Sequence, residues 1–402
     1  MFRMGFLLFP LILLAVFTSL FAELIKLRKS HLGNSSKLKR VFFLVARQRL
    51  SKLIFTLTPT SVDCTRFVVG SPFPKMVLHI FNPSHDEALG FGSPYYVPTK
   101  AAMLLARERC TLPELWAKPG DAILLTDDRE RPVANDTEKP FLYVYKRELT
   151  PKFIRQITRI EPWGWNAYLR HTLRRLGIPD TLLPTDEELE HRRRLSSRET
   201  AITLLHRLTA EDETLAGRAT WCTTIEDAWQ AVRTYGRAMA KSPWSSSGRG
   251  VFRVEAEDNV IPADARMRNI IKQYGGIAIE EFCDRVQDFA LEFYARPDGT
   301  ISYVGLSVFN TSVGGNYLGN IEGTQSELQE LINRLRPWEE VEKCIDRLIH
   351  HLQVLINGHY CGPLGVDLMV VKKDGTTKLH PCVEINLRNT MGHIALLLNQ
   401  QK

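Results

Sequence analysis

The residues best suited to chemistry lie near the end of the chain. GPLGVDLMVV runs from Gly362, a Lys372–Gly375 turn follows, and a second apolar run from Lys378 ends in Glu384-Ile385-Asn386. Two strands around an Asp-Gly turn predict a hairpin. Glu384 and Asn386 are two apart, so both face the same side, with Asp367 on the partner strand within reach. Acids are poor strand formers, yet here they interrupt apolar strands. Two carboxylates and an amide oxygen are hard ligands that suit Mg²⁺ bridged to a polyphosphate, and Mn²⁺ can take its place. The plain alternative is a hairpin with ordinary surface polar residues.

Two earlier segments fit the same ligand. A strand delivers Lys241 to a turn containing Ser245, Ser246, Ser247, Gly248, Arg249 and Gly250. Small residues let backbone N–H groups close on phosphate oxygens, and Lys241 supplies a point charge. The Lys precedes the glycines, so this is not a Walker loop. Next, IAIEEFC places Glu280, Glu281, Phe282 and Cys283 at a strand end, with Asp288 beyond. The backbone of 281–283 can pair with an adenine edge, and a following carboxylate can accept from ribose hydroxyls. Solvated acids at a strand end are the alternative.

These parts need sheets to hold them. Val77–Phe81 reads as a buried strand, and the loop after it carries Asn82, His85 and Asp86. Such loops meet ligands in parallel sheets, while an Asx turn and helix N-cap would explain the same residues. Helix 98–109, strands 122–125 and 141–145, and a helix from Pro162 to Leu176 continue a βαβ alternation. A Trp163-Gly164-Trp165 corner opens that last helix. Residues 189–208 read as one helix whose Arg192–Arg194 run forms a solvated face. The Gly- and Asn-rich stretch 309–320, including Asn316, reads as a loop closing over substrate or the γ-phosphate, with a plain connecting loop as the alternative. The fold class is therefore α/β. The expected domains are an N-terminal extension (1–75), a small doubly wound parallel α/β domain (76–188), and two further units (189–275 and 276–402).

The 402 residues carry a formal charge of +7. Residues 1–75 hold 12 Lys and Arg against two acids, leaving 40 basic and 43 acidic residues in the remainder. The body is slightly acidic, which argues against nucleic acid as a partner. Seven scattered cysteines without a CxxC pair suit a reducing compartment. Residues 4–22 form an apolar run just long enough to span a bilayer. Three readings compete. It is an anchor whose basic C-terminal flank keeps the body in the cytoplasm, or a cleaved signal, or part of an over-extended gene start ahead of Met76.

Lys241 and its Ser/Gly turn, the EEF segment, GVDLM and EINLRNTMG together resemble, in order and spacing, the ATP-grasp superfamily, notably its D-alanine–D-alanine ligase-like carboxylate–amine ligases. The likeness covers about residues 190–400, is most specific in the last forty, and is nearest to a group of bacterial proteins. It implies an ATP-grasp fold preceded by the α/β domain. It also implies ATP and Mg²⁺ as cofactors, and small-molecule or peptide carboxylate and amine substrates. On this resemblance Lys241 contacts phosphates, Glu281–Cys283 hold adenine, Asp288 stands at the ribose position, and Asp367, Glu384 and Asn386 bind metal. Arg388 contacts phosphate or substrate. Two positions depart from the pattern. Gly365 stands where an Arg is common, and an expected earlier phosphate Lys is replaced at best by Arg198. A small-molecule kinase and a non-catalytic ATP sensor are the rival functions. A homodimer is compatible with the reading, and a membrane partner enters only through residues 4–22.

Overall fold

A parallel sheet opens the computed structural model, which describes residues 76–126, 141–245, 250–256, 260–312 and 315–399. Strand β1 (Met76–Ile80) leads into helix α1 (His85–Phe91) and then α2 (Lys100–Arg109). Strands β2 (Ala122–Leu125) and β3 (Leu142–Tyr145), helix α3 (Pro151–Ile154), strand β4 (Ile157–Pro162) and helix α4 (Ala167–Arg175) complete the unit. The sheet order is β3-β2-β1-β4, with all pairs parallel. Met76, Leu78 and Ile80 are buried, as the apolar run requires. Strand β4 is absent from the sequence reading, because ITRIEP is half polar and ends in proline. It survives at the sheet edge, where proline is tolerated. Asn166 caps α4 by accepting from the Leu169 amide at 2.9 Å, so that helix begins after the tryptophan corner and not at Pro162.

Helices α5 (Asp186–Leu195) and α6 (Arg198–Glu211) follow. The expected single helix is broken at Ser196-Ser197, and Thr185 with Glu188 forms a capping box at the start of α5. The second sheet contains β5 (Ala219–Cys222), β6 (Arg237–Lys241), β7 (Val251–Glu255) and β8 (Ile277–Glu281), with α7 (Ile225–Tyr235) and α8 (Val260–Tyr274) between them. Its order is β5-β8-β6-β7, all antiparallel.

The third sheet has the order β11-β10-β9-β12-β13. Its strands are β9 (Asp284–Ala295), β10 (Ile301–Thr311), β11 (Tyr317–Asn320), β12 (Gly362–Lys373) and β13 (Thr376–Asn386). Helices α9 (Gln325–Asn333) and α10 (Trp338–Ile356) lie between β11 and β12, and α11 (Met391–Asn399) ends the described chain. The stretch expected as a loop at 309–320 is mostly the β10–β11 hairpin. Phe289, Leu291 and Phe293 of β9 join Leu364, Val366 and Leu368 of β12 and Ile385 of β13 in one core. Each such side chain contributes about 1.5–3 kcal/mol on burial. Period-two alternation then turns Asp288, Glu292, Gly365, Asp367, Glu384 and Asn386 to the opposite face. The β12–β13 turn uses Asp374 (φ 52°) and Gly375 (φ 75°), the left-handed pair that a tight hairpin demands.

The fold is α/β, as expected, and the described residues belong to one compact unit. Among them no helix is long and apolar enough to cross a membrane. Residues 4–22 and the rest of 1–75 lie outside the described residues, as do Ser246, Ser247, Gly248 and Arg249.

Candidate active site

Strand register builds the acidic centre. Asp367 lies directly opposite Glu384, and Gly365 opposite Asn386. Like charges so placed destabilise a sheet. The Asp367 carboxyl is pushed up to about 8, first by burial, then by Glu384 and Glu292, against the opposing pull of Arg388. Asn386 donates from Nδ2 to Asp367 at 3.3 Å and accepts from Arg388 on Oδ1 at 3.0 Å. Among the described residues no three His, Cys, Asp or Glu side chains converge as a metal site. The donor set is two carboxylates and one amide oxygen, which leaves coordination positions for phosphate oxygens.

Arg198, at the start of α6, brings a cation to this centre. It is 5% exposed. Its Nε donates to the Ser242 carbonyl at 3.1 Å, and Nη2 donates to Ser245 Oγ at 2.8 Å and to Glu384 at 3.3 Å. Its Nη1 is buried with no acceptor among the described residues. Burial works against its charge, and Glu384, Glu280 and Asp367 more than offset this. Arg198 thus ties the segment after β6 to β13, a link the sequence hints at only through a weak positional match.

Lys241 ends β6 and makes a buried ion pair with Glu280 of the neighbouring β8. Glu281 pairs outward with Arg218 at 2.9 Å and Lys373 at 3.0 Å. The Glu281 and Phe282 amides donate to the carbonyls of Arg218 (2.8 Å) and Arg237 (3.0 Å). Two guanidiniums, Arg237 and Arg253, lie 4.9 and 5.0 Å from the Phe282 ring centroid. The Cys283 amide has no backbone partner among the described residues. Burial pushes its thiol up to about 11. Asp288 accepts from Thr311 and sits 3.3 Å from Arg285, and burial raises its carboxyl.

The parallel-sheet unit reaches the centre through the loop after β1. Asp86 receives two hydrogen bonds from Arg388, at Nε and Nη2, both 2.8 Å. Burial pushes the Asp86 carboxyl up, but Arg388 outweighs it and holds the group below its usual range. His85 is buried against Gly164, and burial drives its imidazole down to about 4, with Arg388 and Arg192 adding to the shift and Asp86 opposing it. Asn82 is spent on structure, donating to the Gly164 carbonyl at 2.8 Å. A small pocket is lined by His85, Asp86, Trp244, Ser245, Glu384 and Asn386. Asn316 lies in the β10–β11 turn, where its amide donates to Ser312 Oγ at 3.1 Å, and no described contact joins it to this pocket.

Two features escape a linear reading. Glu292 is fully buried and accepts from Ser307 at 3.0 Å and Thr390 at 2.9 Å, with His393 at 3.0 Å. A Cβ on Gly365 would lie 2.6 Å from one carboxylate oxygen, and a Cβ on Gly392 1.8 Å from the other. Gly365, where the resemblance expects Arg, is therefore the space Glu292 occupies. The Arg192–Arg194 run also differs from a solvated face. Arg193 stacks 3.8 Å from the Trp244 ring centroid and donates to Leu89, and Arg192 lies 5.3 Å from that of Tyr360. Of the three, Arg194 alone is exposed.

No family model matches the sequence, and no curated protein matches it. Solved structures similar to the chain include N5-carboxyaminoimidazole synthetase from Staphylococcus aureus complexed with ADP, at 12% identity and a TM-score of 0.45, covering 79% of this chain and 71% of that one. A biotin carboxylase–β,γ-ATP complex from Campylobacter jejuni is 14% identical at a TM-score of 0.48, covering 81% and 67%. D-alanine–D-alanine ligase from Bacillus anthracis is 14% identical at a TM-score of 0.39, covering 79% and 88%.

Proposed function

We propose that the chain is an ATP- and magnesium-dependent ligase of the ATP-grasp type, which activates a carboxylate as an acyl phosphate for attack by an amine. One observation carries this reading. Asp367 and Glu384 face each other beside Asn386, and the buried Arg198 guanidinium stands on Glu384 with one nitrogen unsatisfied among the described residues. Two adjacent carboxylates call for a cation, and an orphaned guanidinium N–H calls for an anion. A polyphosphate with its divalent ion meets both needs.

The residues fit magnesium. Asp367, Glu384 and the Asn386 amide oxygen would hold it, and the bound ion would neutralise the triphosphate and orient it. Arg198 donates to a phosphate oxygen from Nη1, alongside Ser245. Lys241, paired with Glu280, adds to the positive field. The amide of Cys283 remains for the adenine edge, and Asp288 for a ribose hydroxyl. His85 and Asp86 border the pocket where the acid enters. A carboxylate oxygen of the acid attacks the γ-phosphorus, and the bond to the β-bridging oxygen breaks to release ADP. An amine then attacks the acyl carbon, phosphate leaves, and the ammonium proton is lost. Catalysis of this kind is positioning and charge stabilisation, so no nucleophilic triad is required.

Hydroxylamine trapping tests the reaction class. The full chain is incubated with ATP, Mg²⁺, hydroxylamine and a panel of amino acids, dicarboxylates and dipeptides. Acid-dependent hydroxamate with matching ADP is the expected result. A stable phosphoester would identify a kinase, and nucleotide binding without turnover on any acid would identify a sensor.

A further inference from the structure

The cations around the pocket are unequally committed. Arg388 gives its Nε and Nη2 to Asp86 and Asn386, and Nη1 to the Asn389 carbonyl. Arg193 is held by Leu89 and Trp244, and Arg198 by Ser242, Ser245 and Glu384. Arg192 differs. It is half-buried, and among the described residues its buried Nε has no acceptor and it makes no ion pair. Leaving a partly desolvated guanidinium unpaired is costly, so an anion at this position would be stabilising.

Its place in the fold says what anion. Arg192 is one turn before Ser196, which lines the pocket and donates to the Arg192 carbonyl from both its amide (3.0 Å) and its hydroxyl (2.8 Å). The Arg192 guanidinium lies over Tyr360, whose hydroxyl is fixed on the Pro363 carbonyl. His85, which follows β1 at the C-terminal edge of the parallel sheet and lines the same pocket as Ser196, is near enough to feel the Arg192 charge. That edge is where ligands of α/β sheets bind. Arg198 sits on Glu384 at the acidic centre, whereas among the described residues the Arg192 guanidinium makes no hydrogen bond or ion pair to that centre. The two guanidiniums therefore serve different groups.

We propose that Arg192 anchors an anionic group of the acid substrate other than the carboxylate that is activated, so that the substrate is a dianion of the dicarboxylate class. This rests on the ligase reading above, because it takes the activated carboxylate to lie at Asp367 and Glu384.

The test is calorimetric binding to the full chain, saturated with Mg²⁺ and the non-hydrolysable analogue AMP-PNP. The probes are malonate, succinate, glutarate and adipate, each against the monocarboxylate of equal length. One dicarboxylate is expected to bind at least about tenfold tighter than its monocarboxylate, as one charge-assisted contact allows. Arg192→Met keeps the apolar stem on Tyr360 and should abolish that preference, while Arg192→Lys retains part of it. AMP-PNP affinity should not change, and the melting temperature of Arg192→Met should not fall. Equal affinity of the paired acids, no binding of any dicarboxylate, or a preference that survives Arg192→Met would overturn the proposal. Failure of AMP-PNP itself to bind would instead remove the nucleotide reading beneath it.

Discussion

Arg388 and Asp86 are 302 residues apart in sequence and meet as a bidentate pair with both bonds at 2.8 Å. The same Arg388 nitrogen that reaches Asp86 also donates to Asn386. The loop after the first strand is thereby coupled to a residue of the acidic centre. Both partners are less than a quarter exposed. Removing one leaves the other poorly solvated, so Asp86→Ala and Arg388→Met should each cost about 3 kcal/mol in chemical denaturation. The double variant should cost clearly less than the sum. Strict additivity would show that the pair is not coupled.

The glycines around Glu292 give a steric prediction. Gly392→Ala places a methyl 1.8 Å from the Glu292 oxygen that accepts from Ser307, in a carboxylate whose other oxygen is held by Thr390 and His393. Overpacking of this kind costs about 1–3 kcal/mol or more. The melting temperature should fall, and Glu292→Asp in the Gly392→Ala background should recover part of it. A Gly392→Ala protein as stable as wild type would mean that Glu292 is free to move.

Much of the acidic centre was legible because it is local. Asp367, Glu384 and Asn386 lie on a hairpin whose turn and alternation are visible in the residues, and two acids within apolar strands call for a reason. Glu292 was not legible. It sits in FALEFYA, which reads as an ordinary strand, and its partner Thr390 is 98 residues away. Arg192 and Arg193 were misread because a basic run on a helix is usually solvated, and only tertiary packing puts Tyr360 and Trp244 beneath them. Strand β4 was hidden by its polar edge residues.

Acid should unfold the chain through two histidines. His85 and His380 are buried, and burial lowers both to about 4 from about 6.5. The unfolded state therefore binds more protons between these values. Stability from both groups is intact above about pH 6.5 and is lost progressively as pH falls toward 4. Denaturant midpoints measured across this range should drop, and His85→Asn should flatten the dependence. A flat profile in wild type would contradict neutral burial.

Asp367 gives the opposite sign for metal. Its carboxyl is raised to about 8, so near neutral pH it is largely protonated when no cation is bound. A divalent ion must displace that proton. Mg²⁺ affinity, measured with nucleotide present, should rise by up to about tenfold per pH unit below 8 and level off above it. Asp367→Asn should remove the slope. Affinity independent of pH would place the metal elsewhere.

Equilibrium binding of AMP-PNP with Mg²⁺ to the full chain and to Glu384→Ala and Asn386→Ala tests the nucleotide–metal centre most directly. Wild type should bind the analogue only with Mg²⁺, and each variant should lose at least about tenfold in affinity while still unfolding in one cooperative thermal transition. Wild-type affinity in both variants, or binding indifferent to Mg²⁺, would contradict the assignment.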